Sequence, residues 1–205
     1  MKPKRTRIKD LRRAELLAAA HRVFMAQGLA GLTTARICEE AGMSAGILSY
    51  YFKGKDELLF AVVRMNNRIL VQEIVQRLVD TNSRWQRLVA IVSGNFPDDL
   101  FEQKVAAAWL SVCAASARNP DFARLQSIFY RRLASNLASV FAGVIPEPRF
   151  GQMVLTIGSM IDGLWLRKSA GGVVNGPTAI ALVLAMVEAQ LTWEQRMAMD
   201  AENRA

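Results

Sequence analysis

Two sets of side chains in this sequence can do chemistry, and neither is a catalytic set. The first crowds the stretch TTARICEEAGMSAGILSYYF, Thr33 to Phe52. Thr34, Arg36, Ser44, Ser49, Tyr50, Tyr51 and, just beyond, Lys55 supply hydroxyls, phenols and cations, the groups that bond phosphate oxygens and base edges. Small Ala45 and Gly46 let a helix end come close to a nucleic-acid backbone, its free N–H groups turned to phosphate. Ile47 either packs inward or meets a thymine methyl. The second set is dispersed: Phe96, Trp109, Phe129 and Trp165 offer aromatic walls, and Asp162 a carboxylate. A cation over a tryptophan face gains about 0.5–2 kcal/mol. Asp162 is the only charged residue between Phe150 and Arg167. In apolar surroundings it needs a partner: a cationic ligand, Arg167, or a donor in a helix or subunit contact. No Ser/His/Asp set, metal cluster or phosphate-cradling glycine loop appears, and a single histidine, His21, removes most catalytic schemes. The expectation is a binding protein, not an enzyme, without metal or cofactor but with a small-molecule effector.

These groups need helices to position them. Thr33 or Thr34 can cap a first short helix, whose inward face holds Ile37 and Ala41. Gly42 suits the left-handed backbone that ends a helix. Met43 plugs the corner, Ser44 caps a second helix, and Ile47 and Leu48 form its apolar back. Two helices around a glycine turn are the helix-turn-helix pattern, in which the second helix enters the DNA major groove. Upstream, Leu16, Leu17, Ala20, Val23 and Phe24 form one stripe of a helix expected over Asp10–Gln27 and stopped by Gly28. Before it, KPKRTRIK (residues 2–9) is a basic arm that reaches the DNA or stays a solvated tail. Downstream, a long helix from Asp56 to about Val79 would link reader and body, with Asp56 and Glu57 at its positive end. Further helices are expected at about 83–95, 98–118, 121–141, 148–170 and 177–196, broken by prolines and glycines. The fold class is therefore all-α. A three-helix DNA-binding domain, residues 1–54, precedes a larger helical effector-binding and dimerisation domain, residues 55–205.

Charge supports the division. Of 26 basic and 18 acidic residues, 12 and 6 fall in residues 1–64. A basic head on a nearly neutral body suits phosphate binding through counterion release. No apolar leader is visible and the longest apolar run, Ala179–Val187, is far short of the roughly 20 residues that span a bilayer; a cytoplasmic protein is expected. Cys38 and Cys113 read as small buried hydrophobes. Along Ala179–Leu191 apolar side chains point almost all round, so one side should meet the subunit and the other a partner. With Gly158 and Gly163 permitting close approach in the preceding helix, this predicts a homodimer through residues 148–170 and 177–196, pairing two readers on a near-palindromic duplex.

The motifs Leu16-Leu17, Ala19-Ala20, Val23-Phe24, Gly28, Leu32-Thr33-Thr34, Ile37, Ala41-Gly42-Met43-Ser44, Tyr51-Phe52, Lys55 and Leu58-Leu59 resemble those of the TetR-type transcriptional repressors. The body resembles the narrower BetI-like branch of betaine-pathway repressors, which answer choline. Its marks are Gly94-Asn95-Phe96, Trp109-Leu110, Pro120, Arg124-Leu125-Gln126, Arg131-Arg132-Leu133, Ser135-Asn136-Leu137 and the run Ile161 to Arg167. The resemblance implies a dimeric repressor of choline and glycine betaine metabolism, released from its operator by choline or a related compound, with Tyr51 and Lys55 as backbone anchors. The alternative is a TetR-type regulator answering a drug, polyamine or other metabolite. The chain departs at Val112 and Cys113, where the branch commonly has Phe and Trp, and at Tyr50, often His.

Overall fold

The computed structural model describes residues 4–201, and for residues 4–7 and Lys55 the backbone alone. Among the described residues there are only helices: α1 (Lys4–Gly31), α2 (Thr34–Glu40), α3 (Ile47–Tyr51), α4 (Lys55–Val79), α5 (Arg84–Gly94), α6 (Gln103–Ser116), α7 (Pro120–Phe141), α8 (Arg149–Ser169), α9 (Gly176–Gln190) and α10 (Trp193–Asp200).

Several boundaries are set as the residue types require. Gly28 breaks α1 with φ 67° and ψ −161°, a backbone glycine accepts readily. Thr33 sits in extended backbone before α2, and its Oγ1 accepts from the Arg36 N–H at 3.4 Å. Gly42 then turns the chain at φ 63°, and the Met43 N–H donates to the Cys38 carbonyl at 2.8 Å. In α4, Asp56 and Glu57 occupy the first turn, and the Glu57 carboxylate reaches back to accept the Lys53 N–H at 2.8 Å.

Other expectations are corrected. The helix expected from Asp10 already takes in the basic arm where it is described, from Lys4, and no proline or glycine interrupts it before Gly28. Ser44 does not cap the second reader helix. Its carbonyl instead accepts the Ile47 N–H at 3.0 Å, which closes a turn through Ala45 and Gly46, and α3 starts at Ile47 with Gly46 in the cap position. The helix expected from residue 98 starts at Gln103, since the N–H groups of Leu100 and Phe101 turn back onto the Pro97 carbonyl. The helix expected over 177–196 is two. Thr192 starts α10 with a reciprocal cap: its Oγ1 accepts the Gln195 N–H, and the Gln195 side chain accepts the Thr192 N–H.

One continuous core runs through the molecule, from Leu16, Phe24 and Ile37 through Val62 and Ile91 to Leu137, Ile157 and Val187. α1 packs on α2 and also on α6, where the Lys104 ammonium donates to the Ala26 carbonyl. α4 packs on α1, α5 and α7, so the long helix touches reader and body alike. In α9 only one side is buried, by Ala179, Val183 and Val187. Leu182 remains 49% exposed there, and on α8 Leu155 is 71% and Leu166 52% exposed. Among the described residues no helix is long and apolar enough to cross a membrane.

Candidate nucleic-acid interface and ligand cavity

The reader presents its polar groups outward. Leu48 and Phe52 are buried, while Thr34, Arg36, Ser44, Ala45, Gly46, Ser49 and Tyr50 are exposed. Ile47 and Tyr51 are half-buried and pack against the core. The Ser49 hydroxyl donates to the Gly46 carbonyl at 2.9 Å, and Tyr50 stands edge-on to Tyr51 with ring centroids 5.0 Å apart. The side chain of Lys55 lies outside the described residues. Two contacts were not foreseen. The Lys9 ammonium lies 5.2 Å from the Tyr50 ring centroid, and the Arg13 guanidinium 4.5 Å from that of Phe52. Arg13 also donates to Glu57 at 3.1 Å. The Lys53 N–H, Arg13 and the Lys53 charge together outweigh the opposing effect of burial and hold the Glu57 carboxyl below its usual range. Lys9 and Arg13, one helical turn apart on α1, thus stand over aromatic rings at the end of the reader.

The dispersed aromatic residues converge. Trp109 of α6, Phe129 of α7 and Asp162 and Trp165 of α8 line one cavity in the body. Phe96 does not line it. It is buried one layer behind, edge-on to Phe101, which in turn stands edge-on to Trp165, each pair with centroids 5.1 Å apart. The Trp165 indole N–H donates to the Asn95 carbonyl at 3.1 Å, fixing the ring. Unforeseen lining comes from Phe24 of α1 and from Val63, Asn66, Asn67 and Leu70 of α4. Asn66 Oδ1 meets His21 Nε2 at 2.6 Å, so the lone histidine ties α1 to the cavity wall.

Asp162 is half-buried, and withdrawal from water raises its carboxyl above the usual range; the Tyr130 hydroxyl, which donates to Oδ2 at 2.8 Å, offsets part of this. Burial followed by the hydrogen bond to Asp162 pushes the Tyr130 phenol up to about 12. The Cys113 thiol, raised to about 11 by burial and then by the Asp162 charge, is a poor nucleophile at neutral pH. Arg167 is not hydrogen-bonded or ion-paired to Asp162. Nothing in sequence pairs Tyr130 with Asp162, which lie 32 residues apart on successive helices, α7 and α8. The free volume enclosed is about 40 Å³, room for a few waters and far less than the several hundred Å³ of a typical ligand pocket.

Residues 16–62 match the bacterial regulatory proteins of the TetR family, and residues 85–192 match the C-terminal region of BetI-type transcriptional repressors. The BetI transcriptional regulator of Brucella anthropi is 35% identical over 189 residues, covering 92% of this chain and 97% of that protein. That of Stenotrophomonas maltophilia is 35% identical, over 90% and 95% of the two chains. The chain is a BetI-type repressor of the TetR family.

The fold agrees. A TetR regulator from Haloarcula marismortui superposes with a TM-score of 0.76 at 21% identity, over 89% of this chain and all of the other. A transcriptional regulator from Saccharomonospora viridis, solved in complex with choline, superposes at 0.73 with 21% identity, over 87% and 96%. The matched TetR-type segment takes in α2, α3 and the start of α4, which runs on past its end. The cavity draws walls from within that segment, Phe24 on α1, and from α4 beyond it, Val63, Asn66, Asn67 and Leu70.

Proposed function

We propose that this BetI-type repressor acts in the cytoplasm as a homodimer on a near-palindromic operator and is released by a small organic cation of the choline class. It would thereby control choline and glycine betaine metabolism. The observation that carries the ligand class is Asp162: one half-buried carboxylate, without a cationic partner, in a cavity walled by Trp109, Phe129 and Trp165. A quaternary ammonium would supply the missing charge and lie against the aromatic faces. The Tyr130 hydroxyl would hold the carboxylate in place rather than touch the ligand.

In this reading Ser44, Ala45, Gly46, Ser49 and Tyr50 meet the major groove, while Thr34, Arg36, Tyr51 and Lys55 anchor the backbone. Residues 1–54 form the reading domain and 55–205 the effector and dimer domain. The dimer forms through α8 and α9, whose uncovered Leu155, Leu166 and Leu182 favour burial against a second copy. The enclosed volume is too small for the cation, so binding must widen the cavity, and the walls that yield include Phe24 on α1 and Asn66 on α4. Widening would shift the link and respace the two readers, because a ligand acts only through its differential affinity for the two arrangements. A different effector remains the second reading, favoured by Cys113 beside Asp162 where the branch commonly carries an aromatic.

Calorimetry with choline and betaine aldehyde tests the assignment. Choline should bind the native protein, bind Asp162→Asn at least about tenfold more weakly, and lower affinity for the upstream DNA of its own gene. Absence of choline binding, or equal binding by Asp162→Asn, would transfer the assignment to a different effector.

A further inference from the structure

We propose that the groove between α1, α4 and α7 is a second ligand site, which takes an amphipathic anion: an acid headgroup on a hydrocarbon tail. The groove holds about 1110 Å³. Leu17, Phe60, Met65, Leu125, Ile128 and Phe129 give it an apolar floor drawn from three helices. Its charged rim is Arg13, Arg64, Arg68 and Arg132 against Glu57 and Asp121. These do not cancel in place. Arg13 is engaged by Glu57 at 3.1 Å, and Asp121 occupies the first turn of α7, where the helix end already attracts a carboxylate. Arg64 lies over the Phe60 ring at 5.8 Å. Arg68 and Arg132 make no ion pair or side-chain hydrogen bond among the described residues.

The groove is open to solvent, and its lining mixes apolar side chains with charged ones. Guanidinium groups beside it fit a carboxylate or phosphate, which they can bind through paired N–H donors, and they repel the organic cation proposed for the cavity. None of the lining residues is one of the proposed DNA contacts and none lies on α8 or α9, so the groove is distinct from the proposed DNA contact and the proposed dimer face. Asn67 and Phe129 line groove and cavity alike. A tail laid in the groove therefore presses on the wall that the cation must displace. The site itself stands apart from the choline assignment.

Calorimetry with dodecanoate below its micelle concentration tests this, with dodecanol and dodecyltrimethylammonium as controls. One dodecanoate should bind per chain, at least about tenfold more tightly than either control. The exposed-residue variant Arg68→Ala/Arg132→Ala should lose at least about tenfold of that affinity while keeping the native melting temperature, and Asp162→Asn should bind dodecanoate unchanged. Equal binding of the alcohol, several molecules per chain, or full affinity in the double arginine variant would overturn the proposal. Tighter binding of dodecanoate by Asp162→Asn, where a repelling carboxylate is gone, would assign it to the cavity instead. Choline titration of the same variants keeps failure of this site distinct from failure of the effector reading.

Discussion

The reader and the cavity are built by opposite means. The reader is held by bonds within a few residues: the Thr33 cap on α2, the Gly42 turn, the Met43 N–H on Cys38 and the Ser44 carbonyl closing onto Ile47. Its outward side chains are exposed and carry little packing. The cavity has few such bonds. Phe24, Val63, Trp109 and Phe129 come from four helices and meet through burial, and Trp165 of a fifth adds one long-range bond, its indole N–H to the Asn95 carbonyl. Changes on the reader's surface should therefore alter what is bound and leave stability nearly untouched, whereas changes at the cavity should cost stability first. Because α1 and α4 serve both, the two regions should unfold together.

Phe24→Ala puts the largest strain on that picture. The ring is buried to 2% exposure, lines the cavity and sits on the helix that supports the reader. Its removal should cost about 3–5 kcal/mol through lost burial and a residual void. Urea unfolding should remain one transition, shifted to lower denaturant. Separate transitions for head and body would show that the continuous core does not couple them.

Glycines offer a second contrast. A Cβ at Gly94 would stand 2.4 Å from Ile74 Cγ1 and 3.1 Å from its Cα, where α5 crosses α4. Gly94→Ala should cost about 1–3 kcal/mol by overpacking, and a larger residue more. At Gly42 nothing lies within 4 Å, but φ is +63°. Gly42→Ala should cost about 1 kcal/mol from backbone strain, with size irrelevant and Asn milder than Ala because it tolerates this conformation. Thermal unfolding of Ala, Asn and Leu variants at both sites reads the difference. A size-dependent loss at Gly42 would mean that the turn is packed, not merely bent.

The same contrast explains what could be read in advance. The Thr33 cap, the Gly42 turn and the stop at Gly28 depend on residue type and near neighbours, and all three are present. Ser44 misled because serine suits either a cap or a turn, and a bond between backbone groups decided it. Trp109, Phe129, Asp162 and Trp165 could be named from their types as aromatic walls and a carboxylate, and the structure brings them to one cavity. The place of Phe96 behind Phe101 could not be read that way, since both are aromatic and only packing separates wall from second layer. The Tyr130–Asp162 and His21–Asn66 bonds join distant helices and leave no mark in local spacing.

Asp162→Asn should give the smallest effect and the most specific one. Burial raises the Asp162 carboxyl in the folded chain above the ordinary carboxylate range to which it returns on unfolding. The folded state thus holds this proton more tightly. Stability from this group is highest at low pH and falls as pH rises from the ordinary range through the raised folded value. At neutral pH the native chain carries the cost of an ionised, half-buried carboxylate, a cost that solvent access keeps modest. Asparagine removes the charge, and its carbonyl can still accept from Tyr130. The variant should therefore melt slightly above the native protein at pH 7, with the gap closing as pH falls towards 4, the ordinary carboxylate range. A variant less stable at pH 7 would mean that the carboxylate itself holds α8 to α7 and is a structural tie. Choline reverses the sign: a bound cation favours the ionised form, so it should raise the melting temperature of the native protein above that of Asp162→Asn. The penalty seen without ligand and the gain seen with it then come from one charge, kept half out of water for a partner to neutralise.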